Sequence, residues 1–187
     1  MNPKRFTLRK EYFGGLVYDA KTAGIELLTS DEYYFLDAIT KEKTYPKVKR
    51  SAEFVKKGFI EERNGAFSSP NMRSVIPPKR IRKNVLTAPI RVFYSFTRRC
   101  NFQCPHCYFT SGALVNEKRR TIEQTKEIIK KFYDAGTMEW RFTGGEALIM
   151  IDIFDAIAYA KSLGMNVFIF KQLVGGFNCK EGVCSRR

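Results

Sequence analysis

Three cysteines in one short segment are the residues best suited to chemistry. Cys100, Cys104 and Cys107 follow a C-x3-C-x2-C spacing. Thiolates at this spacing can curl around a compact iron–sulfur cluster, each sulfur binding a different iron. Since a cubane cluster has four irons, three cysteines leave one iron open to an incoming ligand. Arg98 and Arg99 precede the first cysteine, and their positive charge favours the thiolate form. The segment therefore predicts a reactive metal cluster.

Other uses of these thiols stay open on spacing alone. A structural zinc site could combine them with His106, Cys179 or Cys184, although a ligand inside the loop would strain the tetrahedron. A redox dithiol could use the last two cysteines of the pattern, but it would leave Cys100 without a role. Inert buried thiols are common singly, and the close spacing of these three argues against that interpretation.

A second group of candidate residues is Thr143-Gly144-Gly145-Glu146, which ends a predicted strand. Two glycines let the backbone pass close to a ligand, and Glu146 can bind an ammonium group. Glycines before a helix are by themselves often only a tight turn. Here they follow the strand after the cysteine loop, so both groups are expected at the same end of one sheet.

The second half of the chain alternates strands and helices. Strands are predicted at 90–97, 140–143 and 166–170, and helices at 121–136 and 151–163. Thr121 with Gln124 forms a capping box that begins the first helix, and Phe154, Ile157 and Ala158 are expected on the inward face of the second. This alternation predicts a parallel sheet with right-handed crossovers, which binds ligands at the carboxyl ends of its strands.

The first half reads as a small winged-helix-like α+β unit. Strands are predicted at 6–10, 16–18 and 25–28, and helices after Thr29 and after Ser51. Thr29 and Glu32 have the capping-box spacing, and Asn64-Gly65 predicts a hairpin turn. These patterns predict a domain at 1–69, a linker at 70–89 and a second domain at 90–187. The linker is rich in proline and basic residues, as in a solvated tether or a substrate guide.

Composition limits the classes of protein that fit. The chain has 187 residues, a net charge of +14 and 44% apolar residues, which suits one or two folded domains. No apolar run is long enough for a membrane span or signal peptide, so we expect a cytoplasmic protein. Five cysteines without a secretion signal do not suggest a disulfide scaffold. The positive charge predicts attraction to an acidic peptide, nucleic acid or phosphate.

The cysteine loop followed by Gly-Gly-Glu resembles the radical S-adenosylmethionine (radical SAM) enzymes. This resemblance implies that Cys100, Cys104 and Cys107 hold a [4Fe-4S] cluster whose open iron binds S-adenosyl-L-methionine (SAM). It also implies SAM-binding roles, with the methionyl amino group bound by Gly144, Gly145 and Glu146 and the adenine by Tyr108 and the backbone near His106. One electron from a donor such as a flavodoxin or ferredoxin would then yield a 5'-deoxyadenosyl radical that takes a hydrogen from substrate.

The N-terminal unit resembles the PqqD-like recognition domains fused to maturases of ribosomally made peptides, including SPASM-type relatives. The resemblance implies capture of a precursor's leader peptide as an added strand on a sheet edge. The candidate edge is 25–28, beside the helix after Ser51. The implied fold is a winged-helix-like (α+β) domain followed by a radical SAM (β/α) partial TIM barrel. The implied partners are the precursor peptide and an electron donor, with neither membrane nor nucleic acid expected.

The resemblance extends through two strand–helix units and one further strand of the partial barrel. We therefore expect an incomplete barrel, with Cys179 and Cys184 in a truncated or frame-shifted tail that cannot complete an auxiliary cluster. Two rival functions remain. One is a cluster-containing winged-helix redox regulator that binds DNA through its basic surface. The other is a catalytically inactive fragment that only binds a leader peptide.

Overall fold

The computed structural model describes residues 4–76, 80–105, 107–112 and 115–170, and the backbone of two further strands at 177–180 and 183–186. The prediction on His106 lies outside the described residues, and so do residues 77–79 of the expected linker and part of the expected tail. None of the helices in the described part of the chain is both long and apolar enough to cross a membrane.

The described residues form eleven strands and four α-helices. The strands are β1 (Phe6–Glu11), β2 (Gly14–Asp19), β3 (Gly24–Leu28), β4 (Glu61–Arg63), β5 (Ala66–Ser68), β6 (Met72–Ser74), β7 (Arg91–Thr97), β8 (Glu139–Gly144), β9 (Asn166–Ile169), β10 (Phe177–Lys180) and β11 (Val183–Arg186). The helices are α1 (Ser30–Thr40), α2 (Ser51–Lys56), α3 (Ile122–Asp134) and α4 (Ile153–Ser162), with a 3-10 turn at Ala147–Ile149.

The first half folds around a four-stranded sheet, the N-terminal sheet, with the order β3-β2-β1-β6. Strands β1, β2 and β3 are antiparallel neighbours, so β3 is an edge strand. The capping box of α1 is present, since Thr29 accepts from the Glu32 backbone N–H and the Glu32 carboxylate accepts from Thr29. The Asn64-Gly65 turn joins β4 to β5, and both residues have positive φ, as a tight hairpin turn requires.

Strand β6 lies inside the segment expected to be a linker. Phe6, Thr7 and Leu8 of β1 pair with 72–74 in parallel, and Val75 N–H donates to the Leu8 carbonyl. Met72 is buried in the core of the N-terminal sheet. The expectation of a tether over the whole of 70–89 was therefore wrong at 72–74, because pairing with β1 supplies backbone bonds that local composition does not reveal. The division into domains remains a prediction.

The second half is an α/β fold, as expected. Strands β7, β8 and β9 form a parallel sheet in that order. The core between this sheet and helices α3 and α4 contains Phe96, Ile129, Trp140 and Phe142. The capping box of α3, formed by Thr121 and Gln124, is also present.

The inward face of α4 agrees with the prediction only in part. Ile157 packs against the core as expected, whereas Phe154, at 59%, and Ala158 are exposed. The fully buried residues of this helix are Ile153, Ala156 and Ala160. Alanines let the helix approach the sheet closely, and the large ring is accommodated on the outer surface. The apolar pattern alone predicted that Phe154 would face inward, whereas close packing of the helix on the sheet favours small side chains at the contact.

A buried polar network joins the N-terminal sheet to the parallel sheet. Arg9 and Glu11, both 0% exposed, form an ion pair with Nε and Oε1 2.7 Å apart. Arg9 also donates to the Gly136 carbonyl at 2.7 Å, and Glu11 accepts from the Thr87 backbone N–H at 2.8 Å. Burial lowers the pKa of Arg9 from its ordinary value. These contacts hold β1 against the loop that precedes β8.

A second bridge lies at the amino ends of β8 and β9. The Tyr18 hydroxyl donates to Glu139 at 3.1 Å and accepts from the Asn166 side chain at 3.1 Å. Burial raises the pKa of Tyr18 to about 12, so it remains a donor at neutral pH. Leu16 and Met138 pack beside the tyrosine in a small apolar cluster. The N-terminal sheet therefore attaches at the end of the parallel sheet opposite the cysteine loop.

Candidate functional site

The cysteine loop begins where β7 ends. Cys100 is 9% exposed, and Cys104 and Cys107 are partly exposed. Backbone N–H groups of Ser111 and Phe109 lower the pKa of the Cys107 thiol, because they hydrogen-bond to its sulfur. A lowered thiol pKa favours the thiolate, which is the form that binds metal.

The donor set fits an iron–sulfur cluster in its chemistry. Three cysteines in one loop supply the soft ligands that such clusters take. Within the described ranges, no three Cys, His, Asp or Glu side chains are gathered closely enough to hold a single metal ion. That Cys100, Cys104 and Cys107 are cluster ligands therefore remains a prediction.

The Gly-Gly-Glu turn lies directly against the entry to the cysteine loop. The Gly145 N–H donates to the Thr97 carbonyl at 2.7 Å, and the Glu146 N–H donates to the Arg99 carbonyl at 2.9 Å. A Cβ on Gly145 would lie 2.1 Å from the Arg99 carbonyl oxygen. Only glycine permits this approach, so the sequence brings the two candidate groups into direct backbone contact.

The carboxylate of Glu146 is buried and held in one orientation. The residue is 3% exposed, and its Oε1 accepts from the Leu148 backbone N–H at 3.0 Å. This bond caps the 3-10 turn after the glycines. Gly144 has a φ of 132°, and a Cβ there would lie 2.2 Å from the Thr97 carbonyl oxygen. The turn thus presents a fixed carboxylate at the carboxyl end of β8.

Tyr108 lies on the surface. It is 84% exposed, with its ring edge-on to Phe109 at 5.6 Å between centroids. The structure thus brings the cysteine loop and Gly144–Glu146 together, and leaves Tyr108 outside this contact. A contact between Tyr108 and the adenine of SAM remains a prediction.

The segment after the cysteine loop was not singled out from sequence. Gly112 exchanges backbone hydrogen bonds with Arg98 and Cys100, and the Glu117 carboxylate accepts from Thr97 and Arg98. A sequence signal for this contact does exist. Glu117 is the sole acidic residue between Arg98 and Arg120, in a stretch with five arginines and lysines.

An aromatic face with one guanidinium covers the side of the parallel sheet opposite the helices. Phe93, Phe168 and Phe170 are each more than a third exposed. The Arg141 guanidinium lies 5.2, 5.0 and 5.8 Å from their ring centroids, within cation–π range. Arg141 also pairs with the buried Glu139. Strand alternation places these side chains on the face away from Trp140 and the helices.

Comparison with known proteins agrees with this geometry. Residues 94–177 match the Radical SAM superfamily. Fe-coproporphyrin III synthase of Methanosarcina barkeri is 33% identical over 78 residues, which are 42% of this chain and 20% of that protein. PqqA peptide cyclase of Streptomyces rochei is 31% identical over 88 residues, which are 47% of this chain and 24% of that protein. The matches thus span about a quarter or less of these relatives.

Two crystal structures of SuiB from Streptococcus suis share the fold. The form bound to S-adenosylmethionine has a TM-score of 0.61 at 18% identity, covering 91% of this chain and 42% of SuiB. The form bound to the precursor peptide SuiA has a TM-score of 0.57 at 15% identity, covering 93% and 44%. Since 94–187 is only about half of the chain, the shared fold extends into the first half. The part that carries the cysteine loop and the Gly-Gly-Glu turn, residues 94–177, is a radical SAM domain.

Proposed function

We propose that this chain acts as a radical SAM enzyme on a ribosomally made precursor peptide. The observation that carries the proposal is the pair of backbone hydrogen bonds between Thr97–Arg99 and Gly145–Glu146. These bonds join the candidate cluster loop to the candidate SAM turn at the carboxyl ends of parallel strands, where such sheets bind ligands. A peptide substrate is favoured by relatives named for peptide cyclisation and by the shared fold with SuiB.

Cys100, Cys104 and Cys107 would hold the [4Fe-4S] cluster, and Gly144–Glu146 would bind the amino group of SAM. When bound, these cofactors supply a 5'-deoxyadenosyl radical that abstracts hydrogen from the substrate. The protein's part is orientation. The Leu148 N–H orients the Glu146 carboxylate, which would bind the ammonium group of SAM. The aromatic face around Arg141 would exclude water from the substrate side.

Anaerobic reconstitution of the full chain with iron and sulfide tests the cofactor assignment. We expect about four irons per chain in the wild type. Cys104→Ala should lose most of this iron, because a cluster with only two protein thiolates is poorly held. SAM with a reductant should release 5'-deoxyadenosine from the wild type only. Stable binding of one zinc ion per chain would contradict the assignment, and cluster binding without deoxyadenosine would favour a regulator or an inactive binding fragment.

The cluster would also need an electron donor, for which we propose a flavodoxin or ferredoxin. Arg98, Lys118 and Arg120 are exposed near the entry to the cysteine loop. None of these three has an ion pair with the described residues. Their charge would steer an acidic carrier toward the site.

For the N-terminal sheet we propose a PqqD-like, winged-helix role in which β3 binds a leader peptide. Strand β3 is an edge of the sheet, with Ile25 41% and Leu27 62% exposed. An edge strand offers unpaired backbone groups to an added strand, and its exposed side chains supply apolar contacts. The excess of basic residues suits an acidic leader.

Ion pairs at α2 favour a peptide over DNA as the ligand of this domain. Arg50 pairs with Glu26 of β3 and with Glu53, and Lys57 pairs with the same two carboxylates. Hydrogen bonds from Arg50 and Lys57 lower the pKa of Glu53 to about 2, so the carboxylate stays ionised. Cations engaged in this way are not free for phosphates, whose neutralisation drives DNA binding.

Leu27→Lys tests the peptide site. We expect the affinity for the leader of a precursor encoded beside the gene to fall about tenfold or more, because an apolar contact is replaced by a charge. Fluorescence anisotropy with the labelled peptide measures this. Phe154→Lys is the matched control, since Phe154 is similarly exposed at 59% but lies on α4. Equal losses in both variants would contradict binding along β3.

A further inference from the structure

Glu117 holds the short turn between β7 and Cys100. The Thr97 hydroxyl donates to its Oε1, and the Arg98 backbone N–H donates to its Oε2 at 2.7 Å. The Thr97 oxygen in turn accepts from the Arg99 backbone N–H at 3.0 Å. Thr97 is buried, at 2% exposed. One carboxylate and one hydroxyl therefore fix both backbone N–H groups ahead of the first cysteine.

The carbonyl groups of the same turn point to other elements. The Thr97 and Arg99 carbonyls accept from Gly145 and Glu146, and the Arg98 carbonyl accepts from Gly112 at 3.3 Å. The orientation of a peptide plane fixes its N–H and its carbonyl together. The N–H groups of Arg98 and Arg99 share their peptide planes with the carbonyls of Thr97 and Arg98. A contact that holds these N–H groups therefore also sets the carbonyl that receives Gly145 and the carbonyl that receives Gly112.

The contact needs a carboxylate rather than any polar group of this size. Both oxygens of Glu117 accept, one from a hydroxyl and one from an N–H. An amide of the same shape offers one acceptor and one donor. If its oxygen keeps the Arg98 bond, its N–H group turns toward the Thr97 hydroxyl oxygen, which already accepts from Arg99. The Thr97 hydroxyl hydrogen then loses its acceptor at a buried site, and this loss weakens the contact.

We propose that Glu117 is a positioning residue that sets the cysteine loop and the Gly-Gly-Glu turn in register for their two ligands. The assignment of those ligands rests on the proposed function. The hydrogen bonds themselves join residues of the chain and involve no ligand. Loss of the carboxylate should loosen the hydrogen bonds of the Gly145 and Gly112 amides, although Glu117 touches neither residue.

Hydrogen exchange on the full chain without cofactors gives a test that does not depend on the proposed function. Glu117→Gln should speed exchange of the Gly145 and Gly112 amides by tenfold or more, with little change in Phe142, which lies within β8. Thr97→Val should reproduce the effect, because it removes the hydroxyl that carries the contact. Lys118→Gln, a neutralisation at the next residue, is the control and should leave exchange unchanged. Unaltered protection in Glu117→Gln would overturn the proposal.

Reconstituted protein gives the second readout. Glu117→Gln should retain the wild-type iron content but bind SAM about tenfold more weakly, with an altered electron paramagnetic resonance signal on SAM addition. Glu117→Asp, which keeps both acceptors on a shorter side chain, should recover part of the affinity. Wild-type SAM affinity in Glu117→Gln would overturn the part of the proposal that concerns SAM binding. Failure of the wild type itself to bind iron would contradict the proposed function and leave the exchange result to decide the role of Glu117.

Discussion

Replacing Glu11 with alanine should lower the free energy of unfolding by about 3–5 kcal/mol, the cost of removing one partner from a buried ion pair. The reason is that Arg9, which is 0% exposed, would keep its charge without its carboxylate. Arg9 Nη2 already has no hydrogen-bond partner among the described residues. The variant would also leave the Thr87 backbone N–H without its acceptor. Urea denaturation followed by circular dichroism measures the loss.

Two controls separate this effect from ordinary loss of an ion pair. Asp134→Ala removes the partner of Lys130 in an exposed pair on α3 and should cost no more than about 1 kcal/mol. The double variant Arg9→Met with Glu11→Leu removes both charges and should recover much of the stability, because matched apolar groups often replace buried pairs at little cost. A loss in Glu11→Ala as small as in Asp134→Ala would contradict a buried, uncompensated arginine.

Gly145→Ala is expected to separate the cysteine loop from the Gly-Gly-Glu turn. The new Cβ would lie 2.1 Å from the Arg99 carbonyl oxygen and 3.0 Å from the Arg98 carbonyl oxygen, both backbone atoms that cannot rotate away. Overpacking of this kind with loss of two backbone hydrogen bonds costs about 3 kcal/mol. We expect SAM affinity, measured by calorimetry on reconstituted protein, to fall more than tenfold.

Gly112→Ala provides the matched comparison on the other side of the same turn. The nearest atom to a Cβ at Gly112 belongs to the Val115 side chain at 3.9 Å, which is ordinary contact. This variant should therefore change stability by less than about 1 kcal/mol and leave SAM affinity intact. Similar SAM affinities in the two variants would show that the close approach at Gly145 does not set the ligand site.

Elements defined by local chemistry could be predicted from the sequence. The capping boxes at Thr29 and Thr121 each depend on a residue three positions later, and both helices begin where expected. The Asn64-Gly65 hairpin is similarly local. The cysteine loop and the Gly-Gly-Glu turn also fall at the expected strand ends, because both follow directly from strand positions.

Features that depend on distant partners could not be predicted. Arg9 reads as a surface cation in its own strand, and its burial comes from Gly136, far along the chain. Strand β6 is too short to show a period of its own and forms through pairing with β1. The exposed Phe154 follows from close packing of alanines elsewhere on α4. Burial in each case is decided by an opposing surface that local sequence does not describe.

The attachment of Tyr18 to Glu139 fixes a distance between the N-terminal sheet and the candidate site. Glu139 is the first residue of β8, and the Gly-Gly-Glu turn begins at its last, so five residue steps separate the attachment of the N-terminal sheet from the candidate site. At about 3.3 Å per step this distance is about 17 Å. For a peptide held on β3 as proposed, a spacer of about five extended residues would be needed to cover the length of β8. Because the Tyr18–Glu139 contact fixes that length, the fold itself would set the spacer that the peptide needs.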